Sequence, residues 1–323
     1  PELERTLEQH RVELTGYCYR MLGSSFEAED AVQETLVRAW RGFDKFEGRS
    51  AVRSWLYRIA TNVCLDMLQS RKRRALPMDL GPSSPGDVSA GDRLPENLWL
   101  QPIPDGRALP PTDDPAEMTE SRESIRVAFV AALQHLPPRQ RAVLLLREVL
   151  RWKAAEVAEL LDTSVQSVNS ALQRARATLA ATDLADTDPL RPNDEEQRAL
   201  VARYVDAFER FDIEALVALL HEDATMSMPP YDLWLHGAGE LRKWLLGAGA
   251  GCRASRFAPV EANGAPAFAQ WRPSEETGEL EAWAIHVLRL SDGRISGIDF
   301  FVDPDLFPLF ELPPRPNGLA ATR

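Results

Sequence analysis

The sequence predicts a multidomain chain with two all-α modules, the second a helix-turn-helix, followed by an α+β domain. Three observations carry this. Apolar residues recur at helical spacing through residues 1–76 and 121–182, whereas strand-like alternation appears only late in the chain. Residues 77–120 break both patterns with nine prolines and four glycines. Charge divides along the same boundaries: the net −12 of the 323 residues splits into +2 for 1–76, −7 for 77–120, +4 for 121–182 and −11 for the remainder. Such a length exceeds one domain, and any contact with nucleic acid belongs to the two mildly basic helical modules.

In the first module, Val32, Leu36 and Ala39/Trp40 share one helix face, and Val52, Leu56, Ile59, Val63 and Met67 share another. Arg71-Lys72-Arg73-Arg74 closes the module with a run suited to a helix C-terminus or a phosphate backbone. The acidic, proline-rich 77–120 reads as a linker that would span about 35–40 Å as a coil, and more where proline stiffens it. Trp99, in Leu98-Trp99-Leu100-Gln101-Pro102-Ile103-Pro104, is out of character for a solvated tether and is expected to dock between domains.

In 121–182, a stripe of Ile125, Phe129, Ala132/Leu133 and Leu136 ends at Pro137-Pro138, with Pro138 suited to the first turn of the next helix. A short helix with Val157, Ala158, Leu160 and Leu161 leads to a turn at Asp162-Thr163. Ser164 is the expected N-cap of a last helix whose inner face is Val168, Leu172, Ala175 and Leu179. Ser167, Asn169, Ser170, Gln173, Arg174 and Arg176 then face outward. Asn and Gln pair bidentately with adenine, and Arg with guanine or phosphate, so this face has the chemistry of major-groove reading. Taken alone, it is equally the solvated side of an ordinary helix.

The run Glu29-Asp30-Ala31-Val32-Gln33-Glu34-Thr35-Leu36, continuing through Trp55-Leu56-Tyr57-Arg58-Ile59-Ala60-Thr61-Asn62, and the helix-turn-helix of 122–182 resemble regions 2 and 4 of the sigma-70 family, in its small extracytoplasmic-function type. The resemblance implies a subunit that binds core RNA polymerase at the β′ clamp helices and β flap, recognises −35 and −10 promoter elements and opens the latter. Elements about 17 base pairs apart are separated by about 60 Å, which the linker can bridge. The resemblance places Asp30, Gln33, Glu34 and Arg38 against the polymerase, with Trp40 read as core. It places Phe46, Arg49, Arg53, Tyr57 and Asn62 at the −10 element. There Phe46, Tyr57 and Asn62 form a pocket for an extruded base, and the two arginines meet the backbone; Trp55 is read as core. Lys153, Ser167, Asn169, Ser170, Gln173, Arg174 and Arg176 fall at the −35 element, with Lys153 and Arg176 on phosphates.

Residues 192–310 resemble SnoaL-like domains of the cone-shaped ketosteroid-isomerase type, on Tyr204-Val205-Asp206-Ala207-Phe208, Ala224 to Pro230 and Trp234-Leu235-His236-Gly237; a tail of 311–323 follows. Asn263-Gly264 and Asp292-Gly293 predict hairpins. With a two-residue turn at Asp292-Gly293, His286 sits opposite Asp299, beside Ala284, Leu288, Leu290, Ile295 and Phe301. Trp283, Ile285, Val287, Ile298, Phe300 and Val302 take the other face. Both faces are apolar, so both need cover: one from the domain's own helices, the other from the helical modules, the linker or Pro-rich 304–316. Tyr204, Trp234, His236, Trp283, His286 and Asp299 are the candidate pocket for a small-molecule ligand. The His–Asp pair reads as an acid/base couple, a ligand anchor or a satisfied core pair. The expectation is a non-enzymatic domain that modulates the helical modules in cis. The alternative is a DNA-binding protein whose C-terminal domain is a small-molecule sensor or an enzyme of isomerase or hydrolase type. Cys18, Cys64 and Cys252 lack metal-ligand spacing, so neither metal nor cofactor is expected. No apolar run reaches membrane-spanning length and the first residues lack a signal peptide's apolar stretch, so a cytoplasmic protein without membrane contact is expected.

Overall fold

A computed structural model of the chain describes residues 2–46, 51–69, 73–182, 187–191 and 194–316. They form two compact units: residues 1–74 with 105–185, and residues 75–104 with 186–323. The two helical modules thus make one body, and most of the proline-rich segment belongs with the C-terminal domain.

In the first unit, α1 (Glu2–Glu8), α2 (Arg11–Leu22), α3 (Ser25–Gly42) and α4 (Val52–Leu68) form the N-terminal module. Gly23, at φ 70, ends α2, and the Ser24 hydroxyl accepts from the Glu27 N–H to start α3. Two short helices occupy the end of the expected linker, α5 (Asp105–Ala108) and α6 (Pro115–Glu123). The second is begun by Asp114, whose carboxylate accepts from the Ala116 N–H, with Pro115 at the first helical position. Proline there marks a helix start, which a composition-based reading takes for a coil. Gly16 of α2 lets α5 approach closely: a Cβ would lie 2.2 Å from the Ala108 carbonyl oxygen. Gly16→Ala should therefore destabilise this unit by about 2 kcal/mol or displace α5, through overpacking against backbone; an unchanged thermal melt would refute it.

The second module comprises α7 (Val127–Leu133), α8 (Pro138–Leu144), a π-helical turn at Leu145–Val149, α9 (Ala154–Leu160) and α10 (Val165–Ala180). Pro138 opens α8 and Ser164 caps α10, as the sequence predicts. The modules are braced to each other by buried arginines. Arg20 of α2 donates to the Ser124 carbonyl at 3.0 Å and hydroxyl at 2.5 Å. Arg141 of α8 donates to the Met21 carbonyl, the Gln134 side chain at 2.8 Å, and the Gln134 and Leu136 carbonyls at 3.2 and 3.1 Å. Burial lowers the pKa of each guanidinium to about 10.

The second unit carries α11 (Glu195–Glu209), α12 (Ile213–Val217), β1 (Leu220–Ser227), β2 (Trp234–His236), α13 (Ala238–Leu246), β3 (Arg256–Ala262), β4 (Ala265–Pro273), β5 (Leu280–Ser291), β6 (Arg294–Phe301) and α14 (Leu306–Leu309). The six strands are ordered β2-β1-β6-β5-β4-β3, antiparallel except β1 with β6. Both predicted turns are present, with Asn263, Gly264, Asp292 and Gly293 all at φ between 51 and 69.

The expected β5–β6 register holds only next to the turn, where Leu290 pairs with Ile295. An extra residue, Ser296, then shifts the ladder, so that Arg289 pairs with Gly297, Val287 with Asp299 and His286 with Phe300. Asp299 and Phe301 thereby exchange faces with Ile298, Phe300 and Val302. The latter three join His286 over the helices, in a core with Tyr204, Phe208, Leu241 and Trp244. The other face carries Trp271, Ile285 and Val287. Over it lies the segment that follows β6: Phe307 meets Trp271 edge-on at 5.2 Å, and the Pro313 and Pro314 carbonyls accept from Trp271 Nε1 and the Ala282 N–H.

The segment 75–104 is no free coil but a strap bound to this domain. Trp99, 2 % exposed, shares a small pocket with Pro229, Pro230, Phe301, Val302 and Leu306. The strap's end pairs with the β3–β4 turn: the Ile103 N–H donates to Asn263 Oδ1 at 3.0 Å, and the Asn263 N–H to the Ile103 carbonyl at 3.1 Å.

Candidate nucleic-acid and polymerase interfaces

α10 buries Val168, Leu172 and Ala175, and leaves Ser167, Asn169, Gln173, Arg174 and Arg176 exposed with Ser170 half-buried. The predicted reading face therefore exists on a helix held firmly by its inner stripe. Lys153, also exposed, precedes α9. Two cations near this face have carboxylate partners: Arg176 donates to Glu148 at 2.6 Å, and Arg151 makes two 2.6 Å bonds to Glu120.

On α3, Asp30, Gln33, Glu34 and Arg38 are exposed along one side. Arg38 donates to Glu34 at 2.6 Å and lies 3.8 Å from Asp66. Trp40, expected in the core, is 61 % exposed. Ala39 takes the buried position, and one residue further around the helix points away from it. Trp40 and Arg41 border a groove of about 400 Å³ between α1 and α3, floored by Leu7, Leu36 and Val37. The sequence carried a signal for this: an inward stripe through Val32, Leu36 and Ala39 already fills the buried face.

The expected −10 pocket divides. Phe46 packs on Trp55 at 4.9 Å and on Phe43 at 6.0 Å, and Trp55 is half-buried rather than core. Tyr57 is fully buried on another side of α4. Its hydroxyl donates to Glu13 at 3.2 Å, its ring meets Tyr17 and Trp152 edge-on at 5.2 Å each, and burial raises its pKa well above the usual range. Arg53 joins Tyr57, donating to Glu13 at 2.8 Å and lying over the Tyr57 and Trp152 rings. Helical spacing separates 53/57 from 55/62, so Phe46 and Tyr57 do not share a pocket. Asn62 is exposed on α4, and Arg49 lies outside the described residues. From the terminal basic run, Arg74 is instead buried in a 2.6 Å ion pair with Glu27, its pKa lowered to about 10 by burial.

Of the candidate C-terminal pocket, Tyr204 meets His286, while Trp234 and His236 lie together elsewhere, with ring centroids 6.3 Å apart. The Tyr204 hydroxyl donates to His286 Nδ1 at 2.9 Å, His286 Nε2 donates to Gln270 Oε1 at 2.6 Å, and Gln270 Nε2 donates to Ser255 Oγ at 2.8 Å. The His286 ring is fully buried against Phe257 and Phe300, and this burial lowers its pKa to about 3. Asp299 sits on the opposite face, accepting from Ser227 at 2.7 Å and pairing with Arg289 at 3.3 Å. Trp234 and His236 belong to the far edge strand β2, where Trp234 Nε1 donates to the Gly81 carbonyl and His236 is exposed. Trp283 is half-buried beneath the Arg272 guanidinium.

Three family profiles match: Sigma-70 region 2 over residues 6–74, Sigma-70, region 4 over 126–179, and the SnoaL-like domain over 201–298. Among curated proteins, the chain is 46 % identical to the ECF RNA polymerase sigma factor SigG of Mycobacterium tuberculosis, over 95 % of this chain and 82 % of that protein. It is 28 % identical to SigJ of the same organism, over 97 % and 95 %. The crystal structure of SigJ shares the fold, with a TM-score of 0.58 at 21 % identity, covering 95 % of this chain and 98 % of that one. Among the described residues, no helix is long and apolar enough to cross a membrane.

Proposed function

We propose, from the premise that this chain belongs to the extracytoplasmic-function RNA polymerase sigma factors, how its surfaces divide the work of initiation. Core RNA polymerase is taken by the exposed side of α3, its clamp helices meeting Asp30, Gln33, Glu34 and Arg38, with Trp40 as an anchor in the adjoining groove. The β flap is left to the second module. The −35 element is read by Asn169, Ser170, Gln173 and Arg174, with Ser167 beside them and Lys153 and Arg176 on phosphates. The −10 strand stacks on the Phe46–Trp55 face with Asn62 alongside, while Arg53 and Tyr57 serve that element only after leaving Trp152. The observation that carries this reading is the polar outward face of α10, which the fold itself does not use for packing.

Run-off transcription with core polymerase tests it, and a chain that initiates from no promoter in a random library would sink it. Trp40→Ala should weaken core binding about tenfold or more, the scale of an aromatic anchor, and leave the melting temperature unchanged because the ring is exposed. Equal affinity for core would remove Trp40 from the interface.

The C-terminal domain modulates the helical modules in cis and performs no chemistry of its own. Both His286 nitrogens are engaged, and a ring with a pKa near 3 carries no exchangeable charge at neutral pH; Asp299 is on the other face. The same engagement argues against His286 anchoring a small-molecule ligand. Ending the chain at residue 190 should change run-off output; identical output across promoters would oppose a modulating role.

A further inference from the structure

We infer that the bridge between Ala75 and Trp99 sets the reach of the tether between the two helical modules, and that the C-terminal domain holds it shut. The Ala75 N–H donates to the Leu98 carbonyl at 2.9 Å, and the Leu100 N–H donates to the Ala75 carbonyl at 3.1 Å, in a parallel bridge. Residues 76–98 are thereby closed off as a loop. The path from Arg74 to Asp105 crosses the bridge, about 4.8 Å wide, and then follows only Trp99 to Pro104. With the bridge intact, Arg74 and Asp105 can be no more than about 30 Å apart, whereas the same segment unfastened has a contour of about 100 Å. Promoter elements about 60 Å apart favour the unfastened form.

The domain grips the closed loop at several points. The Ser84 N–H donates to the Trp234 carbonyl at 2.8 Å, the Gly86 N–H to Glu240 at 2.6 Å, and the Leu94 N–H to the Pro230 carbonyl at 2.9 Å. Gly86 lies so close to α13 that a Cβ would be 2.2 Å from the Glu240 carbonyl. Trp99, whose backbone is in the bridge, has its side chain in the pocket beside Pro230 and Val302. Fastening the tether and seating Trp99 are one event. Ala75 and Trp99 act here as positioning residues, and their consequence for promoter use rests on the sigma-factor reading above.

Release replaces a path of a few residues by a coil of thirty, residues 75–104. The effective concentration of one module at the other then falls about tenfold, by the −3/2 power of tether length. The test uses the full chain with spin labels on exposed helix positions, Asp66→Cys and Ala177→Cys, the native cysteines being buried. Ala75→Asp, which places a carboxylate at a buried bridge position without opening a cavity, should raise the ratio of separated to closed modules about tenfold. It should also raise run-off from a two-element promoter. Hydrogen exchange at 75–100 reports whether the bridge has opened. Should Ala75→Asp leave those amides protected, Trp99→Ala provides the second release by emptying the seat. Free exchange at the bridge with unaltered label distances overturns the inference. That readout needs no polymerase, so its failure is distinct from a parent chain that never initiates.

Discussion

Arg141→Ala should lower the stability of the first unit by about 3 kcal/mol, from hydrogen bonds to a buried charged donor that are worth about 1.5–3 kcal/mol each before partial rehydration of their acceptors. The side chain is 3 % exposed and serves the carbonyls of Met21, Gln134 and Leu136 together with the Gln134 amide. Its removal leaves carbonyls at the end of α2 and around the α7–α8 turn without a donor. Arg141→Lys should recover little, because one ammonium cannot reproduce the planar fork that reaches both modules. A denaturant titration reads the loss. A chain with Arg141→Ala that unfolds at the parent's midpoint would show that the two modules do not depend on this brace.

A second large effect concerns acidity. Unfolded, His286 has the ordinary histidine pKa of about 6.5; folded, burial holds it at about 3. The folded state therefore keeps the ring neutral where the unfolded state has bound a proton. Stability supplied by this site is intact above about pH 6.5 and is lost as pH falls from there toward 3. Between pH 7 and pH 5 the expected loss is about 2 kcal/mol. The hydrogen bonds agree in direction. Nε2 donates to Gln270, so Nδ1 must accept from Tyr204; a second ring proton would face the Tyr204 hydrogen. His286→Gln should reduce the pH dependence of unfolding over this interval by most of that amount. The same slope in both proteins would mean that the ring is not where the sensitivity lies.

Much of the architecture was legible because its signals are local. Ser164, Pro138 and the two Asx-Gly turns act through neighbouring backbone, and the structure has each where the sequence indicated. The outward face of α10 followed from the inner stripe by subtraction. What escaped the sequence depends on residues far apart in the chain. Arg20 and Arg141 look like surface cations until their distant acceptors, Ser124 at 104 positions and Met21 at 120, are known. Tyr57 has the chemistry of a pocket residue, but Trp152, ninety-five positions on, covers it. The strap is invisible in the sequence because prolines and glycines signal irregular backbone, which is as compatible with a bound segment as with a free one. The His286–Asp299 pairing failed on one bulged serine, because strand faces alternate with a period of two and the error inverted every residue beyond it.

That serine also bears on what the cone can become. Losing Ser296 alone would straighten β6 yet leave Phe300 opposite His286 and Asp299 opposite Val287, because the pairs beyond the extra residue are already those of an uninterrupted ladder without it. Bringing a carboxylate beside the imidazole would instead require the outer half of β6 to slide by one position, taking Phe300 out of the aromatic core and Asp299 away from Ser227 and Arg289. A one-codon loss at the bulge therefore does not convert this quiet scaffold into a chamber holding an acid–base couple.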